Sequence, residues 1–318
     1  MTTPTPTTVD TSGRAAARRA TLIGATAVLL WSTLAALTVL SGDIPPFQLL
    51  AMCFTLGTLV GVVVALWQGR DRGLPAWALL PRLPGHVWAL GVYGLFGYHF
   101  AYFMALRLAP PVAANLINYL WPLLIVLFAA LLPGERLRGR HAAGVLAGFG
   151  GAALLVTRGE GLRFEGQYAA GYAFALACAV IWSSYSVLSR RVAAPADGPR
   201  HGGPRPEGES ARAVMGYCAA TAALALVCHL LFETTTWPAG WQWAAVVALG
   251  LGPVGAAFYT WDYGVKHGDI QTLGVLAYGA PLLSTLLLVA LGLAAPSWLL
   301  AAACALIVGG AVVAATGE

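Results

Sequence analysis

Charge is what this chain has least of. Only 10% of its 318 residues are Asp, Glu, Lys or Arg, against roughly a quarter in a soluble domain. That shortage excludes a solvated globular protein. Hydrophobic residues make up 58% and mean hydropathy is +0.73. Catalytic constellations are lacking as well. No paired carboxylates, no nucleophile with its base and no metal-ligand spacing stand out. Neither an enzyme nor a metal or other cofactor is therefore expected. The five cysteines are odd in number and all fall in apolar runs. They read as buried small hydrophobes, not as a disulfide framework. A net charge of +5 does not imply nucleic acid, because basic loops of membrane proteins face the cytoplasm.

What is present is repeated apolar length. Ten stretches read as transmembrane helices: 20–40, 46–68, 86–107, 111–132, 140–157, 167–189, 212–232, 241–264, 270–293 and 297–316. Each approaches the ~20 residues that cross a hydrocarbon core of ~30 Å. Runs this long are helices and not barrel strands. The polar stretches 1–13 and 195–210 read as disordered. Alternating sides from a cytoplasmic N-terminus puts 15 Lys and Arg inside and 3 outside, which accounts for all 18. The expected topology is both termini inside, with the bilayer as the first partner.

The chain echoes itself. "LLWSTLAAL" at Leu29 returns as "VIWSSYSVL" at Val180, which pairs Trp31-Ser32 with Trp182-Ser183. "NYLWPLL" at Asn118 returns as "AYGAPLL" at Ala277, which pairs Tyr119 with Tyr278 and Pro122 with Pro281. Two five-helix halves follow, 14–157 and 167–318, joined by an external linker at 158–166. Five is odd, so the second half enters from the opposite side, an inverted repeat shared by many secondary transporters.

Two inverted halves with "PLLIVLFAALLPGERLRGRHAAGVLAGFGGAALLV" resemble the drug/metabolite transporter superfamily, EamA-like branch. "YHFAYFMAL" followed by "NLINYLWPLLIVLF" is similar to the YddG-type amino-acid exporters of bacterial inner membranes. The resemblance implies a multi-pass inner-membrane protein, with aromatic and other neutral amino acids as substrates exported from the cytoplasm.

The prolines locate a site. Pro122 and Pro281 fall near the middle of their spans, where each removes a backbone hydrogen bond. The carbonyls of Asn118 and Ala277 are expected to be left bare. In lipid such groups are tolerated only against protein or a watery cavity. Asn115, Asn118, Tyr119 and Pro122 share one helix face, with Trp121 beside them. Tyr98, His99 and Tyr102 come from span 3. Trp182, Ser183, Tyr185 and Ser186 come from span 6. Trp31 comes from span 1, Tyr259 and Tyr263 from span 8, and Tyr278 with Pro281 from span 9. Polar side chains at this depth face inward. The expected site is an aromatic, amide-bearing and almost uncharged cavity worked by alternating access. It suits a neutral or zwitterionic substrate, whose movement costs little electrical work. One copy of the chain is expected to suffice. Efflux of drug-like amphiphiles, and a scaffold or receptor without transport, stay open at this point.

Overall fold

The structure is a computed structural model and describes residues 11–70, 81–132, 137–159, 165–193, 209–290 and 296–315. Residues 1–10, the loop at 133–136 and most of the segments 158–166 and 195–210 lie outside the described residues. All regular structure among the described residues is helical. The helices are α1 (Thr11–Ser32), α2 (Leu34–Leu40), α3 (Pro46–Arg70), α4 (Gly85–Val92), α5 (Tyr98–Leu108), α6 (Pro111–Asn118), α7 (Trp121–Ala129) and α8 (Gly139–Thr157). The chain continues with α9 (Ala169–Ala193), α10 (Glu209–Phe232), α11 (Gln242–Leu251), α12 (Ala257–His267), α13 (Ile270–Leu276), α14 (Gly279–Ala290) and α15 (Trp298–Ala315). Among the described residues, eight helical stretches are long and apolar enough to cross a membrane. Ala113–Ala129 and Trp298–Ala314 are shorter apolar helices.

Four of these helical stretches are interrupted rather than straight. A π-helical turn at Tyr93–Gly97 joins α4 to α5, and a second at Gly252–Ala256 joins α11 to α12. Such turns insert a residue and are frequent at functional sites. The α6–α7 break falls at Tyr119-Leu120, just before Pro122, which has no N–H to continue the ladder. Leu120 instead donates to the Ile117 carbonyl at 3.1 Å. A matching break at Ala277-Tyr278 separates α13 from α14, ahead of Pro281. The first helix begins at Thr11, earlier than the apolar stretch at Ala20. Arg14, Arg18, Arg19 and four alanines are good helix formers, so the helix runs on past the hydrophobic segment.

Packing pairs the two parts of the chain. α1 lies along α12, α3 along α10, α8 along α15, and α5 along α9. Gly24 on α1 and Gly264 on α12 let these two helices approach closely. A Cβ added at Gly264 would meet the Gly24 Cα at 2.5 Å. Around this contact the helices are tied together at one end of the bundle. The Asp269 amide donates to Thr21 Oγ1 at 2.9 Å, and Arg190 Nη1 donates to the Gly268 carbonyl at 3.2 Å. Asp269 caps α13 by accepting from the amides of Gln271 and Thr272. At the same end His141 of α8 is hydrogen-bonded to Gln271, both buried. Asp262 pairs with Lys266 one turn on at 2.7 Å. At the opposite end Glu233 accepts from the Phe47 and Gln48 amides at 3.0 Å, a carboxylate at the N-terminus of α3.

Candidate functional site

At the centre of the bundle four tryptophans from four helices form one cluster: Trp31 (α1), Trp121 (α7), Trp182 (α9) and Trp261 (α12). Every pair among them has ring centres 5.1 to 6.5 Å apart. Most pairs meet edge to face, the arrangement the ring quadrupole favours. Phe258 joins from the same side of α12, 5.7 Å from Trp182 and 6.1 Å from His99. Phe54 of α3 stacks on Phe258 at 5.5 Å. Two of the four indoles are tied down. Trp31 Nε1 donates to the Pro253 carbonyl inside the second π-turn at 3.1 Å, and Trp261 Nε1 donates to Ser186 Oγ at 3.2 Å. Trp121 and Trp182 spend no N–H on another described residue.

A polar wall stands beside this cluster, built by α5 and α6. Tyr98 and Tyr102 stack in parallel, 6.1 Å apart. Tyr102 Oη donates to Asn115 Oδ1 at 2.6 Å, and Asn118 Nδ2 donates to Tyr98 Oη at 3.1 Å. Asn118 is 6% exposed, and its Oδ1 has no partner. His99 is bonded through Nδ1 to the Leu95 carbonyl at 2.7 Å. A carbonyl only accepts, so Nδ1 carries the proton and Nε2 of the neutral ring offers a lone pair. Tyr98, His99, Tyr102, Asn115, Tyr119 and Trp31 are partly exposed, whereas Trp121 and Trp182 are buried at their feet. Among the described residues, no Asp, Glu, Lys or Arg hydrogen-bonds or pairs with this group, and no cluster of His, Cys, Asp and Glu could hold a metal ion.

The two prolines differ. The Asn118 carbonyl has lost its helical partner, because residue 122 has no N–H. The Ala277 carbonyl, expected to be equally bare, accepts from the Ala280 amide at 3.1 Å. A tighter three-residue turn there satisfies the group that Pro281 frees. Pro122 and Pro281 are themselves buried.

The remaining predicted residues take structural positions. Tyr278 is fully buried and donates to the Tyr119 carbonyl at 3.1 Å, fastening the two helix breaks together. Ser183 donates back to the Ala179 carbonyl at 2.6 Å. Tyr185 packs against Gly94, where an added Cβ would meet its ring at 2.3 Å. Tyr259 sits on another face of α12 and donates to the Gly57 carbonyl of α3 at 2.9 Å. Tyr263 is 41% exposed and stacks on His267. Tyr259 and Tyr263 therefore stand apart from the cluster that Phe258 and Trp261 complete. Two cavities, about 530 and 240 Å³, lie elsewhere, in apolar grooves on α3, α10 and α11.

Comparison with known proteins places this architecture. The EamA-like transporter family matches twice, over residues 18–157 and 169–316. The chain belongs to the EamA-like transporter family. A relative in Ancylobacter novellus named aromatic amino acid exporter YddG is 57% identical over 296 residues, covering 93% of this chain and 96% of that protein. The protein of the same name in Salmonella typhimurium is 25% identical, covering 85% and 87%. A solved crystal structure, 56% identical, superposes with a TM-score of 0.83 over 94% of this chain and 98% of the other. The protein is thus a multi-pass membrane transporter by family.

Within that family setting, Phe54, Phe258 and Trp261 are the residues that reading the sequence missed. Phe54 carries no polar signal. Phe258 and Trp261 do have one: the two π-turns are 159 residues apart. The same offset takes His99 to Phe258 and Tyr102 to Trp261.

Proposed function

We propose that this protein exports aromatic and other neutral amino acids across the bacterial inner membrane, binding them at the tryptophan cluster and its polar wall. The observation that carries the reading is the make-up of that centre. Four indoles, Phe258, two stacked phenols and two amides converge with no fixed charge in contact. Aromatic faces receive planar or apolar side chains. A zwitterion brings no net charge, so neutral hydrogen-bonding groups are sufficient partners. A phosphorylated substrate would call for Arg or Lys at this depth. The name borne by the Ancylobacter novellus relative agrees with this chemistry.

The ten-span topology belongs to the same proposal. Two inverted five-helix halves, 14–157 and 167–318, are supported by the paired π-turns, the paired proline breaks and the double family match. Both termini lie in the cytoplasm, on the strength of the 15-to-3 division of basic residues. With that orientation the end around Gly24, Gly264 and Asp269 is cytoplasmic, and the partly exposed tyrosine wall faces outward. The halves rock about the cluster, and a single copy forms the pathway. Site roles are assigned to Trp31, Tyr98, His99, Tyr102, Asn115, Asn118, Tyr119, Trp121 and Trp182, with Phe258 and Trp261 added.

Efflux from proteoliposomes tests the function. Phe and Trp are expected to leave, a sugar phosphate and a lipophilic cation are not, and a pH gradient is not needed. Export of the cation in preference to the amino acids would replace this reading with drug efflux. Cysteine labelling from outside is expected to reach 161–166 and to miss 195–210; the reverse would overturn the topology.

A further inference from the structure

We infer that the site reads the two charges of a zwitterion with separate sets of neutral groups: the indole N–H groups of Trp121 and Trp182 take the carboxylate, and His99 with Asn118 takes the ammonium. This rests on the amino-acid reading above. Four indole donors meet at the centre, and they are not equivalent. Trp31 and Trp261 have theirs committed to Pro253 and Ser186. Trp121 and Trp182 keep theirs open, although each ring is at least nine-tenths buried. Their rings are neighbours, with centres 6.5 Å apart and planes nearly perpendicular, and a carboxylate has two oxygens with which to accept from two donors.

The acceptors lie beside Tyr98. His99 has its Nδ1 proton bound to Leu95, so Nε2 accepts and cannot donate while the ring is neutral. Asn118 supplies an unpartnered Oδ1 and the backbone carbonyl that Pro122 strips of its N–H. Tyr98 joins the two sets. Its ring is 5.1 Å from His99 and 5.6 Å from Trp182, and its hydroxyl accepts from Asn118 at 3.1 Å. An α-amino acid whose side chain rests on the aromatic rings would thus find two indole donors and two sets of acceptors joined through Tyr98. A site built around both charges rejects ligands that lack either one, since the unmatched protein groups are then left buried and unpaired.

The test measures binding of Phe, phenethylamine and 3-phenylpropionate to the full-length protein in nanodiscs. In wild type, Phe is expected to bind about ten- to a hundredfold more tightly than either analogue, the range of one charge-assisted hydrogen bond. Trp182→Phe keeps a ring and removes the N–H. It is expected to weaken Phe and 3-phenylpropionate by about tenfold or more and to leave phenethylamine within about twofold. His99→Leu is expected to do the opposite, weakening Phe and phenethylamine and sparing 3-phenylpropionate. Should Trp182→Phe fail to insert, Trp121→Phe makes the same measurement. Equal losses for all three ligands would reduce these residues to packing and overturn the inference alone. Loss of phenethylamine in the tryptophan variants would reverse the assigned polarity and overturn it too. A wild type that binds none of the three would remove the amino-acid reading and this inference with it.

Discussion

The α5–α6 region and the α12–α13 region are built on the same plan and filled with opposite chemistry. Each follows a π-turn, and each leads to a helix broken two or three residues before a proline. At the shared offset of 159 residues, Tyr98, His99, Tyr102, Asn115 and Asn118 correspond to Ala257, Phe258, Trp261, Gly274 and Ala277. The first set is polar and mostly part-exposed, whereas the second is apolar and almost wholly buried. A break in a membrane helix needs its freed carbonyl satisfied by protein or water. The second region satisfies it internally through Ala280. In the first, the Tyr119 carbonyl is taken by Tyr278, whereas Asn118 leaves its carbonyl beside a group of partly exposed side chains. Backbone geometry is thus repeated, while hydrogen-bonding capacity is kept on one side only. This asymmetry is what a site for one small molecule requires, since two identical faces would hold it in two orientations.

The largest way to break the comparison is charge. Asn118→Asp places a carboxylate in the polar region, where an unpaired charge costs several kcal/mol. Amino-acid efflux is expected to fall at least tenfold at pH 8 and to recover in part toward pH 6, as protonation restores a neutral side chain. Equal efflux across that range in proteoliposomes would mean that Asn118 does not face the substrate. Ala277→Asp, its counterpart, is expected to prevent insertion, because Ala277 is 1% exposed in packed protein.

The prolines come next. Pro122→Ala restores an N–H that covers the Asn118 carbonyl. Apparent affinity for amino acids is expected to drop about ten- to a hundredfold, the range of one hydrogen bond to a charged group. Pro281→Ala offers an N–H to a carbonyl that Ala280 already occupies, so affinity is expected to stay within about twofold. Concentration-dependent uptake by the two variants, side by side, measures the difference. Equal losses would make both prolines hinges and leave Asn118 to packing.

The π-turn glycines separate stability from binding. An added Cβ at Gly255 would meet the Gly250 carbonyl at 2.4 Å, and backbone cannot yield there. At Gly94 it would meet the Tyr185 ring at 2.3 Å, and that ring lies 5.4 Å from Trp182. Overpacking of this kind costs about 1–3 kcal/mol. Gly255→Ala is expected to lower the unfolding temperature with substrate preference kept. Gly94→Ala is expected to shift the tryptophan cluster and change the ranking of Phe against Thr. Thermal unfolding and competition uptake on both variants sort the two effects.

Much of this was legible in the sequence, and the failures have causes. Hydropathy located nearly every helix end to within a few residues, because lipid demands long apolar runs. It placed the start of α1 too late, since arginines and alanines extend a helix beyond its apolar stretch. On α12 the residues expected from the sequence and those that join the tryptophan cluster lie on different faces. Tyr259 and Tyr263 are four apart and polar, so they looked like cavity residues, but Phe258 and Trp261 are three apart on the side that faces Trp31 and Trp182. A π-turn adds one residue upstream and rotates everything after it by roughly 100°, which a 3.6-residue period does not register. Carrying the Tyr119–Tyr278 offset back onto Tyr102 would have found Trp261.

The smallest expected effects concern that tyrosine pair itself. Tyr119 and Tyr278 are equivalent by offset, and each ends up in a different role. Tyr278 is fully buried and gives its hydroxyl proton to the Tyr119 carbonyl. The bond ties α14's entry to the break before α7, and removing it by Tyr278→Phe is expected to cost ~1 kcal/mol of stability. Substrate affinity is expected to change by no more than about twofold, because the hydroxyl is spent inside the protein. The Tyr119 side chain is partly exposed, and its hydroxyl reaches no described partner. Tyr119→Phe therefore removes no internal bond and is expected to leave the unfolding temperature unchanged. If the hydroxyl faces the substrate, amino-acid affinity falls about threefold or more. The two variants exchange signatures: one moves the melting curve, the other the uptake curve. If both moved the melting curve alone, the two regions would differ in packing and not in their relation to substrate. The contrast drawn between them would then end at Asn118.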